Sequence, residues 1–149
     1  MGTQLNYVKH FRDLEVYKRQ RELSREVFSL TKRFPAEERY SLTDQIRRSS
    51  RSIGAQIAEA WGKRRYPKHF VSKLTDADGE QLETQHWTME ALDANYLNQE
   101  QFDSLIGLCE EIGRMLNSMI RKSESFSGDE DALREDASIY GDGDEPCSN

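Results

Sequence analysis

The chain has 149 residues, 36% hydrophobic and 32% charged, with three prolines, nine glycines and a formal net charge of −6. That length is one core's worth, and the composition suits a helical domain with much solvated surface. No apolar run is long enough to cross a membrane and the N-terminus lacks the pattern of a secretory signal, so a cytoplasmic protein without a membrane partner is expected. Charge is strongly segregated. Residues 1–73 carry 17 Lys+Arg against 8 Asp+Glu, a net +9; residues 74–122 carry 3 against 10, a net −7; residues 123–149 carry 1 against 9, a net −8.

Residues 1–10 are expected to be flexible, and the domain proper is expected over 11–122. The spacing of Leu23, Val27, Leu30 and Phe34 predicts a first helix from Phe11 to Arg33, ended by Pro35 because a residue before proline is pushed out of the helical region. A second helix is expected after Ser41, with Asp44 three positions on completing a weak capping box, and with an apolar stripe of Leu42, Ile46, Ser49, Ile53, Ile57 and Ala60. Pro67 suits the first position of a third helix, where its missing N–H costs nothing. That helix is expected to reach Tyr96 on a stripe of Phe70, Leu74, Ala77 and Gln81, continued after a phase drift by Leu82, Met89 and Leu92. Gly79 inside it suggests close helix approach.

Asn98 and Gln101 offer a second capping box. After them Phe102, Leu105, Ile106, Cys109, Ile112, Leu116, Met119 and Ile120 give the strongest helical period in the chain. From Ser123 onward the period stops, and an acidic, disordered tail is expected over 123–149. The predicted fold class is therefore all-α, an up-down-up-down antiparallel four-helix bundle with an acidic tail.

The stretch QIRRSSRSIGAQIAEA, residues 45–60, holds three arginines between isoleucines. With Ile46 as origin and about 100° per residue, Ile53 and Ile57 fall within about 20°, while Arg47, Arg51 and Arg48 fall at about 100°, 140° and 200°. The arginines are therefore off the core. The same side holds Ala55, Ala58 and Gly62, a strip of small residues that would admit another helix. Three roles compete for this face: solvated charge, a subunit interface using Ala55, Ala58, Gly62 and Trp61, and phosphate binding. For the last, Arg47, Arg48 and Arg51 continue into Lys63, Arg64, Arg65 and Lys68, with Trp61 and Tyr66 as stacking groups. Glu59, bordering the core, is expected to pair with a basic group, Arg48 being close in angle.

Other chemistry is not expected. Glu83 and His86 form one Glu-x-x-His, whereas carboxylate-bridged di-metal bundles take two copies, so no metal or other cofactor is predicted. Cys109 lies in an apolar stripe and reads as a small buried hydrophobe, and both it and Cys147 read as free thiols. No nucleotide-binding glycine loop occurs. No catalytic residue is assigned.

LEVY at Leu14 to Tyr17, FPAEE at Phe34 to Glu38, QIRR at Gln45 to Arg48, IAEA at Ile57 to Ala60 and ADGEQLE at Ala77 to Glu83 occur in an order that resembles a known family. These are the four-helix bundle proteins first associated with intervening sequences in bacterial 23S ribosomal RNA genes. Ala60, Gln56 and Glu80 depart from the glycine, asparagine and serine common there. The resemblance implies a left-turning bundle that assembles as a homopentamer without known enzymatic activity, with binding of RNA or DNA inferred from genetic setting and a basic surface. A distantly similar bundle, the accessory variability determinant of diversity-generating retroelements, implies by analogy of fold a reverse transcriptase as partner and an adaptor role as the alternative function.

Overall fold

The computed structural model describes residues 8–125. Four long helices, Glu15–Thr31 (α1), Asp44–Gly62 (α2), Pro67–Asp93 (α3) and Gln99–Ser125 (α4), pack side by side, each against the next in sequence and α1 against α4. This is the expected antiparallel four-helix bundle. The acidic tail lies almost wholly outside the described residues, but α4 runs on to Ser125 with Ser123 buried, past the expected end. Val8 is also buried in the core, within the segment expected to be flexible.

Helix boundaries follow local chemistry more closely than periodicity. A short 3-10 turn, Phe11–Asp13, comes before α1, and Leu14 is extended with φ −63° and ψ 132° and fully buried. The first helix thus begins four residues later than the apolar pattern suggests. The capping box expected at Ser41 does not form. Instead the chain passes from a 3-10 turn, Ala36–Glu38, through a π turn, Arg39–Thr43, directly into α2. Thr43 already has helical dihedrals, φ −57° and ψ −49°, so nothing there needs capping, and the hydroxyl of Ser41 faces Glu38 Oε1 at 3.5 Å. The wider π turn brings both Leu42 and Thr43 inside.

Two other ends are as the sequence predicts. Pro67 opens α3, and at α4 the Gln101 N–H donates to Asn98 Oδ1 (2.8 Å) while the Asn98 N–H donates to Gln101 Oε1 (2.9 Å), a complete capping box. The C-terminus of α3 closes three residues earlier than expected. Asn95 adopts φ 62°, its N–H reaching Leu92 O and that of Tyr96 reaching Ala91 O, a Schellman motif with asparagine in the left-handed position.

The core is built from Leu23 and Val27 of α1, Ile46, Ile53 and Ile57 of α2, Phe70 and Leu74 of α3, and Leu105, Cys109, Ile112, Leu116 and Met119 of α4. The inward stripe of α3 continues from Gln81 through Thr84, Thr88 and Ala91, so Leu82 and Met89, expected inside, are 55% exposed. Polar groups can occupy that stripe because each is satisfied. The hydroxyl of Thr88 donates to Thr84 O (2.7 Å), and that of Thr84 lies 2.9 Å from both Ser49 Oγ and Glu80 O. Gly79 faces open space and does not mediate the α2–α3 approach.

Close approach is instead required at Gly54 and Gly113. Buried Gln20 of α1 donates to Ser50 O at 2.9 Å, and a Cβ on Gly54 would stand 2.5 Å from Gln20 Oε1. A Cβ on Gly113 would stand 2.8 Å from Gln81 Nε2. Gly54→Ala should cost about 1–3 kcal/mol in urea unfolding. The double variant Gly54→Ala/Gln20→Ala should recover part of that loss, since Ser50 O keeps its helical partner.

Candidate nucleic-acid interface

Because α2 turns its isoleucines inward, its three arginines divide between two neighbours, α1 and α3. Arg47 leans toward α1, where its Nε donates to Thr31 Oγ1 at 2.8 Å and its guanidinium lies 4.8 Å from the ring centre of Phe28. Arg51, one turn on and exposed, approaches the same ring at 5.7 Å, and Lys32 Nζ does so at 4.7 Å. Among the described residues no carboxylate lies within ion-pairing distance of these three cations. Phe28 is 40% exposed, with its ring in cation–π contact with these neighbours. Arg39 and the 77% exposed Tyr40 stand nearby on the π turn, the guanidinium 5.8 Å from the ring. Sequence reasoning did not select Phe28, Lys32, Arg39 or Tyr40. The available signal was an aromatic at position 28 out of phase with Val27 and Leu30, one turn before a lysine.

Arg48 points the opposite way, to α3, where it pairs with Glu80 (3.5 Å) and with Glu83. It is neutralised inside its own subunit. Glu59 takes Lys73 of α3 as its partner at 2.9 Å, not Arg48, and is half exposed. The ammonium holds the Glu59 carboxyl below its usual range, and the carboxylate in turn raises Lys73. Both pairs tie α2 to α3, with opposite polarity.

The remaining cations expected to act with Arg47 and Arg51 lie at the far end of α2. From Arg51 to Lys63 the helix rises about 18 Å. There Arg64 is half-buried, donating to Trp61 O at 2.9 Å and stacking 4.1 Å from the Trp61 ring centre, so it closes the helix terminus. Trp61 itself, expected at an interface, is 9% exposed and part of the core. Lys63, Arg65 and Lys68 are exposed around Tyr66. Ala55 and Gly62 are exposed and Ala58 is half-buried on the outward strip of α2. Six of the seven predicted cations thus fall into two separate groups, and Arg48 belongs to neither.

No described helix is long and apolar enough to cross a membrane, and no described group of three His, Cys, Asp or Glu side chains could hold a metal. His86 sits 4.0 Å from Glu90 and edge-on to Trp87.

A model of the 23S rRNA-intervening sequence protein family matches residues 12–118. The chain belongs to that family. The match spans the whole bundle from the turn before α1 to the last turns of α4, and leaves the acidic tail outside. A solved protein from Bacteroides thetaiotaomicron, described as of unknown function and from the S23 ribosomal protein family, is 31% identical with a TM-score of 0.65, over 71% of this chain and 98% of its own. No curated protein matches significantly. Glu80 and Glu83, the two carboxylates that bind Arg48, both lie within the matched residues.

Burial pushes the Cys109 thiol up to about 12. In a Cys147→Ser variant at pH 8, Cys109 should therefore resist thiol reagents in the native protein and react fully once unfolded by guanidinium. Rapid native labelling would contradict its place in the core.

Proposed function

We propose that this is a non-enzymatic, homo-oligomeric bundle that binds nucleic acid, RNA first, through the cationic face shared by α1 and α2. The observation carrying this reading is the convergence of Lys32, Arg47 and Arg51 on the exposed ring of Phe28, with no described carboxylate paired to any of them. Cations already neutralised, as Arg48 is, offer little to a phosphate; cations resting on an aromatic face keep their charge available. The family's name, which links it to a sequence within 23S rRNA, supports RNA as the ligand. Lys63 and Lys68 at the opposite end form a second, smaller patch suited to the same backbone.

Assembly as a pentamer is part of the proposal. A single core of this size buries a modest share of its surface, and such bundles gain from association. The surfaces that support it are the small strip Ala55, Ala58 and Gly62 and the outward Leu82 and Met89, apolar side chains with no core to enter. Since the Arg48 and Glu59 charges are satisfied within the subunit, packing rather than ionic pairing would join the copies.

Binding to a labelled RNA should weaken steeply with salt, with a log–log slope near −0.7 to −0.9 per phosphate neutralised. Arg47→Glu/Arg51→Glu should lower affinity at least tenfold and flatten that slope, while Arg48→Gln should leave both unchanged. Equal loss in the two variants, or none in either, would contradict the assignment. In multi-angle light scattering, Leu82→Glu/Met89→Glu should shift the protein toward monomer at unchanged helicity; an unaltered mass would remove these residues from the subunit contact.

A further inference from the structure

Beside the Phe28 cluster the π turn and the start of α2 enclose a cleft of about 330 Å³. Its walls include Thr31, Phe34, Arg39, Tyr40, Asp44 and Arg47. Its size falls at the lower end of small-molecule pockets, enough for one planar heterocycle. Three features decide what it suits. Tyr40, at 77% exposure, offers a ring face that nothing in the core needs. Asp44 carries a carboxylate in the cleft that, among the described residues, pairs with no cation within ion-pairing distance, although Arg47 lines the same wall. Arg47 is oriented by its bond to Thr31 Oγ1, with its guanidinium at the boundary between the cleft and the Phe28 cluster.

Arg39 and Arg47 on the same walls can meet a phosphate at the rim, but Asp44 is an acceptor that a phosphate cannot use, so it calls for a donor group inside the cleft. A base is a different matter. The amino groups of cytosine, adenine and guanine donate to a carboxylate, and any base stacks on an exposed tyrosine. In a duplex those faces are hidden in the stack, and an isolated aromatic at the protein surface gains nothing from them.

We infer that the cleft holds one unpaired, amino-bearing base of a single-stranded nucleic acid, stacked on Tyr40 and bonded to Asp44, while flanking phosphates rest on Arg47, Arg51 and Lys32. This rests on the nucleic-acid reading above and adds to it a strand type and a base preference.

The test uses the full chain and fluorescence anisotropy at low salt, with four probes of about 12 nucleotides: oligocytidine, oligouridine, a duplex, and an abasic chain of equal charge. Oligocytidine should bind about tenfold or more tighter than the abasic chain and tighter than the duplex, a gain of the size one stacked base gives. Oligouridine should fall between. Tyr40→Ala, at an exposed position that leaves the core intact, should erase the advantage of oligocytidine over the abasic chain. Asp44→Ala should erase its advantage over oligouridine. Equal binding of oligocytidine and the abasic chain, with Tyr40→Ala silent, would overturn base insertion while leaving charge-driven binding in place. No binding of any probe would overturn the parent reading as well.

Discussion

Everything functional in this bundle follows from how α2 buries one face. Ile46, Ile53 and Ile57 are fully enclosed, and with about 100° between successive side chains that single requirement sends neighbouring arginines to different partners. Arg47 and Arg48 are adjacent in sequence, yet one meets a threonine and a phenylalanine on α1 and the other a pair of glutamates on α3. A run of like charges is thereby divided into a neutralised seam and an open cationic cluster. Local concentration of arginine in the sequence overstates the charge available on any one surface, and burial geometry corrects it.

The parts legible in the sequence were those where one residue type has one physical meaning. Pro67 at a helix start, the reciprocal Asn98 and Gln101 cap, and the inward run Leu105, Cys109, Ile112, Leu116 and Met119 of α4 took the predicted form, while Phe102 and Ile106 at the edge of that stripe are only partly covered. Less legible were elements whose inward side is polar. Thr84 and Thr88 look like surface residues until Ser49 and the helix's own carbonyls accept their hydroxyls, and a reader following hydrophobicity assigns Leu82 and Met89 to the core instead. The π turn was hidden for a related reason: Ser41 and Asp44 satisfy a capping pattern, but the chain is already helical when it reaches them.

The candidate interface was half legible. Arg47 and Arg51 could be placed off the core by angle alone, but their neighbours could not, because Phe28, Lys32, Arg39 and Tyr40 come from a different helix and a turn. Contacts between elements set which cations stay unpaired, and no periodicity within one element reports them. The same holds for Glu59, whose partner Lys73 sits fourteen positions away across the α2–α3 contact.

The buried hydroxyls and amides of the interior have a meaning beyond satisfaction. Ser49 meets Thr84, Gln20 meets Ser50, and Gln81 occupies the space left by Gly113. Aliphatic layers tolerate sliding by a full turn, since one branched side chain can replace another against its neighbour. These three meetings cannot be exchanged that way, because a shift would strand each polar group in a dry environment. They act as index pins along the long axis, so the four rods share one alignment and the cations on α1 and α2 are always presented at matched heights.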